Sequence, residues 1–317
     1  MVMVVRSSST STSSMIRNKV AVVMGVANQR SIAWACVERL LNSQYHVILT
    51  HQDRFRDKVQ SLIDQHHNHH KERATPKILG HLNCDVTTDL PLLFSEQIPE
   101  LLHHTTDLSS PSHSNDDNDG TSTAEMMIHT IVHSIAYGNL QKPLKDVDWN
   151  TYQTAQHVSA FSLLETAQCV VAAPNDLFAD HVSLTALSYL GAVRAVPSYG
   201  VMGPAKAALE SLVRGMALEF GRPTTTSGNS SVPSSLRVNA VSAGPIATLS
   251  ARGGIPQFVP LQTSVSNASP LGRPVTAEEV AQAIVGISEN AGITGQTIYV
   301  DGGYSSMVPT PPLDSVG

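Results

Sequence analysis

Apolar and polar positions along the chain repeat in one order: a short unbroken apolar run, a turn of small or polar residues, then a longer stretch with helical spacing. The first run, Lys19 to Met24, is β-branched and continuous, as expected of a strand buried on both faces of a parallel sheet. Further runs at His46 to Thr50, Ile78 to Val86, Met126 to Val132, Val182 to Leu190, Leu236 to Ser242 and Gln296 to Val300 predict the remaining strands. Helical stretches lie between them, from Trp34 to Asn42, through a long region ending at Val171, and over the segment carrying Lys206. Thr276 and Glu279 have the spacing of a capping box opening a helix from Ala277 to Asn290. Strands alternating with helices in this way predict an α/β fold: a single-domain Rossmann-type doubly wound parallel sheet of about seven strands, with helices on both faces.

Two stretches break the pattern. Residues 101–124 and 224–235 are polar, with almost no apolar positions, and read as surface insertions into a domain spanning 19–307. Residues 308–317 read as a tail. Residues 1–18 hold two arginines, a Ser/Thr run and no acidic residue; that composition fits a plastid or mitochondrial targeting segment, or equally a disordered tail of a cytoplasmic protein. Leu249 to Pro270, rich in Gly, Pro and Ser, has no clear period and reads as a flexible lid.

A formal net charge of -6 argues against nucleic acid as a partner, because phosphate binding needs clustered Lys and Arg. No apolar run approaches the roughly 20 residues that cross a bilayer. The three cysteines, Cys36, Cys84 and Cys169, are widely separated and fit neither a disulfide framework nor a zinc site. Histidines 66, 67, 69, 70, 103, 104 and 113 lack the fixed spacing of ligands on a regular element, so no metal is assigned.

Candidate chemistry lies at the strand ends. Gly25 follows the first strand and Ser31 opens the first helix, a turn whose amides and hydroxyl suit a pyrophosphate, although a single glycine also suits an ordinary strand-turn-helix. After the second strand, Gln52 and Asp53 favour a free ribose 2′-hydroxyl, whereas Arg54 and Arg56 suit a 2′-phosphate. Asp85 either receives an adenine amino group or begins the next helix. The stretch Ser188 to Lys206 carries Tyr189, Tyr199 and Lys206. With a helix from Tyr199 onward, the seven-residue step to Lys206 puts both side chains on one face, roughly 10 Å apart. A phenol there can hydrogen-bond an oxygen becoming an enolate, with the ammonium lowering the phenol's pKa; a plain amphipathic helix accounts for the same spacing.

Taken together, Gly25-x5-Ser31-Ile32-Ala33, His133-Ser134-Ile135, Ser188-Tyr189-Leu190-Gly191-Ala192, Tyr199-x2-Met202-x3-Lys206 and Ser242-Ala-Gly-Pro-Ile-x-Thr248 stand in one order along the chain. In this the sequence resembles the enoyl-acyl-carrier-protein reductases of the divergent short-chain dehydrogenase/reductase type, from about Lys19 to Met307. Ordinary short-chain dehydrogenases have Tyr-x3-Lys and a serine thirteen residues before the tyrosine; here Met202 and Ala186 stand at those positions, which counts against ketone or alcohol substrates.

The resemblance implies NADH, rather than NADPH, held by Gly25, Ser31, Ile32, Gln52, Asp85, Val86, Ser134, Ile135, Lys206, Ile246, Ala247, Thr248, Leu249 and Ser250. It implies Tyr199 as the principal catalytic tyrosine, with Lys206 beside it and Tyr189 as an accessory, and an acyl site lined by Gly138, Tyr189, Tyr199 and Met202. The implied substrate is an enoyl thioester on acyl carrier protein or coenzyme A, and the implied assembly a homotetramer. Ala136 stands where many relatives have glycine, and the substrate loop matches Leu249 to Pro270 only loosely. Two other readings compete: a reductase of ketones or other activated alkenes, and a dinucleotide-binding module without catalysis.

Overall fold

The computed structural model describes residues 18–69, 76–107, 126–173, 177–222 and 235–307. Residues 1–17 and 308–317, and most of the stretches 101–124 and 224–235 read from the sequence as insertions, lie outside the described residues. The elements run β1 (Lys19–Met24), α1 (Ile32–Asn42), β2 (His46–His51), α2 (Arg56–His69), β3 (Ile78–Asn83), α3 (Leu90–Leu92), α4 (Ile98–Asp107), β4 (Met127–His133), α5 (Trp149–Gln156), α6 (Ser162–Ala172), β5 (Phe178–Tyr189), α7 (Met202–Phe220), β6 (Ser235–Ala243), α8 (Leu249–Gly254), α9 (Phe258–Ala268), α10 (Ala277–Glu289) and β7 (Thr297–Val300). π-helical turns at Leu93–Gln97 and His157–Phe161 join α3 to α4 and α5 to α6.

The seven strands form one parallel sheet in the order β3-β2-β1-β4-β5-β6-β7. From β1 the chain winds outward to β3, then restarts at β4 on the other side of β1. That reversal leaves a crevice at the carboxyl ends of β1 and β4, where sheets of this kind bind ligands.

Alternation along β1 explains why its run is apolar throughout. Val20, Val22 and Met24 face one core with Ile48, Phe94, Leu163, Leu209 and Val213. Ala21 and Val23 face the other, with Trp34, Val37, Leu40, Leu49 and Ile284. Each fully buried Val, Leu or Ile in these layers contributes about 1.5 to 3 kcal/mol of transfer free energy. α10 opens with the predicted capping box, Thr276 accepting from Glu279 N while the Glu279 carboxylate accepts from Thr276 N.

Three expectations need correction. Residues 101–107 are helical, not part of a polar insertion, because Leu102 is buried in the core and Leu101 packs against it, close to Gly80. Residues 249–270 contain α8 and α9 instead of a structureless lid. Phe258 and Val265 are buried, and Gln262 Nε2 donates to Pro245 O at 2.7 Å; packing supplies the order that the composition conceals. Finally, α7 begins at Met202, so Tyr199 precedes it. Ser198 and Gly200 both take left-handed backbone, with φ of 59° and 45°, and turn the chain before the helix starts.

Candidate active site at the carboxyl ends of the strands

The turn after β1 is set by backbone geometry. Gly25 has φ of 85°, and a Cβ there would lie 2.4 Å from Ser134 O. A side chain at this position would force apart β1 and the segment after β4 where they must approach. Gly25 N and Val26 N both donate to Thr50 O, which fixes the turn over β2. Ser31 caps α1: its Oγ accepts from Trp34 N at 3.1 Å and donates to Asn28 O at 2.7 Å. The amides of Ile32 and Ala33 belong to the first turn, where no intrahelical acceptor exists. An N-terminus of this kind favours anions, and the tight turn that Gly25 permits beside it suits a dinucleotide pyrophosphate.

Most of the expected cofactor residues follow the carboxyl ends of β1, β2, β3, β4 and β6, with Ser134 and Ile135 against Gly25. Gln52 directly follows β2 and is exposed. Asp53 pairs with Arg56 at 2.9 Å, and the Arg54 guanidinium lies over the Phe55 ring, so neither arginine stands as an isolated cation. Asp85 follows β3; its Oδ1 accepts from Thr87 N and Thr87 Oγ1, and these bonds hold its pKa below the ordinary carboxylate value. The side chain therefore starts the turn toward α3, while its exposed position at the strand end remains open to a ligand. Val86 beside it is buried. Ser134 and Ile135 follow β4, and Ile246 to Ser250 follow β6, where Thr248 caps α8 by accepting from Ala251 N.

Three consecutive residues of β5 organise the reactive part. Leu187 O accepts from Lys206 Nζ at 2.7 Å, Ser188 Oγ donates to Glu210 Oε1 at 2.6 Å, and the Tyr189 ring packs on Tyr199 with centroids 4.8 Å apart. Tyr199 and Lys206 thus meet the same strand end although they do not share a helix face. Tyr199 also lies against Gly191, where a Cβ would fall 2.4 Å from its Cδ1. Met202, buried, fills the space over Gly138, whose Cβ would lie 2.7 Å from Met202 Sδ. Ser159 holds the loop after β4 in place, donating to Tyr137 O and accepting from Tyr137 N. Beside Tyr199, a cavity of about 350 Å³ opens between Leu144, Gly191, Val196, Gly200 and Pro204.

Burial controls the ionisation of these groups. It raises the Tyr199 phenol above the ordinary tyrosine range, with Tyr189 adding to the effect, and it lifts Tyr189 to about 12, with Tyr304 adding. The expectation that Lys206 lowers the Tyr199 pKa is therefore overturned, since desolvation dominates and Lys206 Nζ is turned to Leu187 O. Tyr199 remains a neutral hydrogen-bond donor. Lys206 itself is lowered by burial to about 8, with Glu210 acting in the opposite direction. Beneath it, His133 is fully buried on Ser162 Oγ at 2.9 Å, and its pKa is lowered to about 3 by burial and by Lys206.

Gly191 and His133 stand in the sequence motifs without a role of their own, and Glu210 lies outside them. Glu210 carried a usable signal, four residues after a lysine already singled out on a helix. His133 carried none, because a histidine ending a strand looks the same buried or exposed. Among the described residues no cluster of His, Cys, Asp or Glu could hold a metal ion, and no helix is long and apolar enough to cross a membrane.

The family described as Enoyl-(Acyl carrier protein) reductase matches residues 94–305. The enoyl-[acyl-carrier-protein] reductase [NADH] of Bacillus cereus is 33% identical over 297 residues, covering 92% of this chain and 98% of its own. Its counterpart from Nostoc is 33% identical over 303 residues, with the same coverage of 92% and 98%. Among solved structures, the NADH-type reductase of Aquifex aeolicus superposes with a TM-score of 0.71 at 26% identity, covering 92% and 98% of the two chains. The Bacillus cereus enzyme in complex with NADP+ and an indole naphthyridinone also gives 0.71, at 32% identity and the same coverage of 92% and 98%.

Proposed function

The chain belongs to the enoyl-acyl-carrier-protein reductase family, and from that premise we infer how its own residues carry out the reaction. It is an oxidoreductase that reduces the trans-2 double bond of an enoyl thioester with NADH, in fatty acid elongation. The observation that carries the residue assignment is the clasp at the end of β5, which brings Tyr189, Tyr199 and Lys206 to one place beside the β1/β4 crevice.

Bound NADH supplies the hydride for the β-carbon of the double bond. As that carbon is reduced, negative charge would move to the thioester oxygen, where an aimed donor lowers the barrier, and a proton taken up from solvent at the α-carbon would complete the reduction. Tyr199 is that donor: burial keeps its hydroxyl protonated, and packing against Gly191 and Tyr189 fixes its ring. Tyr189 stands next to it as the accessory hydroxyl. Lys206 presents its ammonium to the nicotinamide-side ribose, with Leu187 O holding one of its three protons. Met202, seated on Gly138, walls the acyl site and excludes water from the developing charge. Gly25, Ser31 and Ile32 receive the pyrophosphate. Gln52 receives the adenosine ribose, Asp85 and Val86 the adenine, and Ser134, Ile135 and Ile246 to Ser250 flank the nicotinamide half.

The acyl group is carried on acyl carrier protein. The functional assembly we assign is a homotetramer, supported by exposed apolar side chains such as Trp149, at 72% exposure, and Leu218. Residues 1–18, basic and without acid, support delivery to a plastid or mitochondrial matrix. The test is NADH oxidation with a trans-2-enoyl thioester as the sole acceptor. Turnover with the enoyl thioester and none with a 3-ketoacyl thioester is expected; the reverse selectivity would overturn the assignment.

A further inference from the structure

Glu210 has no part in the reaction as described, yet it occupies a costly position. Glu210 is 5% exposed and lies one helical turn after Lys206, itself 4% exposed, and residues four apart share a helix face. A carboxylate sealed in protein is unfavourable unless charges and hydrogen bonds compensate it. Burial raises the pKa of Glu210 above the ordinary carboxylate value; against that, Ser188 Oγ donates to it at 2.6 Å and the cations of Arg214 and Lys206 favour its ionised form. The partners on β5 are consecutive: Leu187 holds the lysine and Ser188 holds the glutamate.

Resting on the reading of Lys206 as the cofactor-side ammonium, we propose that Glu210 is a positioning residue that, pinned by Ser188, keeps Lys206 charged and aimed at the cofactor ribose. The groups packed around the pair are these. α7 contributes Arg214 beside Glu210. β5 contributes the Leu187 carbonyl and the Ser188 hydroxyl. β4 contributes His133, which is uncharged at neutral pH because burial holds its pKa near 3. β7 contributes Tyr299, whose own pKa is raised by burial and, next, by Glu210. Glu210 is therefore the anion that opposes desolvation at Lys206. Since burial lowers the lysine to about 8, its ammonium is present below that pH and lost above it; removing the Glu210 charge moves the loss to lower pH. A glutamate serving only to tie α7 to β5 would affect folding without moving that transition.

The experiment compares wild type, Glu210→Gln, Glu210→Asp and Ser188→Ala as full-length protein. The NADH dissociation constant and kcat/KM for NADH with a trans-2-enoyl thioester are each followed from about pH 6 to about pH 10. Wild type should weaken on the alkaline side. Glu210→Gln should weaken about one pH unit earlier, a roughly tenfold loss of NADH affinity on the alkaline side, with little change below. Glu210→Asp, which retains the charge, should return part of the shift, and Ser188→Ala should move the same way by less. If Glu210→Gln fails to fold, the Glu210→Asp and Ser188→Ala profiles decide. A folded Glu210→Gln with a uniform loss and no shift would overturn the proposal, as would wild-type profiles in Ser188→Ala and Glu210→Asp. Failure of the wild type to reduce enoyl thioesters would instead overturn the assigned reaction, because the NADH-binding profiles need no acyl substrate.

Discussion

Replacing Gly191 with alanine adds one methyl group at the point where the catalytic tyrosine is packed. That methyl would lie 2.4 Å from Tyr199 Cδ1 and 2.5 Å from Cε1, against 3.4 Å for ordinary contact, so the ring must retreat by about 1 Å. Gly191 does not have left-handed backbone, and alanine strains nothing there but the ring. The retreat disturbs the Tyr189–Tyr199 pair, worth about 0.5 to 1.5 kcal/mol, and overpacking of this kind costs about 1 to 3 kcal/mol in stability. The effect on rate is larger, because a 1 Å misplacement of a catalytic group costs on the order of 100-fold. Steady-state kinetics should therefore give kcat/KM for the enoyl thioester about two orders of magnitude down, with NADH affinity unchanged. Gly215→Ala is the control: nothing lies within 4 Å of a Cβ there, and alanine inside α7 should gain about 0.5 to 1 kcal/mol. A folded Gly191→Ala enzyme within twofold of wild-type kcat/KM would refute the placement of Tyr199 as the working hydroxyl.

Lys206→Ala should weaken NADH binding and slow turnover together; fluorescence titration should show wild-type affinity falling as pH rises through about 8 and the variant weak and flat across the same range. Gly25→Ala should destabilise the protein by about 1 to 3 kcal/mol and reduce NADH affinity, since φ is 85° and the new Cβ meets Ser134 O at 2.4 Å; calorimetry with and without NADH reads both. His133 takes up a proton near 6.5 when unfolded but near 3 when folded, so the unfolded chain binds the extra proton between those values. Its contribution is complete above about pH 6.5 and is lost as pH falls toward 3. Urea unfolding should therefore show less acid loss in His133→Gln than in wild type.

Strands were the most legible part of the sequence, because the β1 side chains alternate between two apolar cores and leave a run with no polar gap. The capping box of α10 was legible because it depends on two residues at fixed spacing. α8 and α9 were not, since their order comes from burying Phe258 and Val265 and from the Gln262 bond to Pro245 O, none of which composition reveals. Tyr199 was identified for a partly wrong reason. Seven residues from Lys206 suggested one helix face, but left-handed backbone at Ser198 and Gly200 delivers the ring from a turn. The phenol's ionisation was misjudged for a related cause: spacing suggests a nearby ammonium, whereas desolvation, which depends on tertiary packing, sets the direction.

The division of work between Tyr199 and Lys206 is tested most directly by Tyr199→Phe, which keeps the ring against Gly191 and removes only the hydroxyl. The measurement is kcat/KM for a trans-2-enoyl thioester beside the NADH dissociation constant of the same preparation. Loss of an interaction made chiefly in the transition state costs about 2 to 4 kcal/mol, so kcat/KM should fall about 30-fold to several hundred-fold, less whatever Tyr189 restores, while NADH affinity stays as in wild type. Wild-type kcat/KM in the folded variant, or a loss confined to NADH binding, would contradict the account.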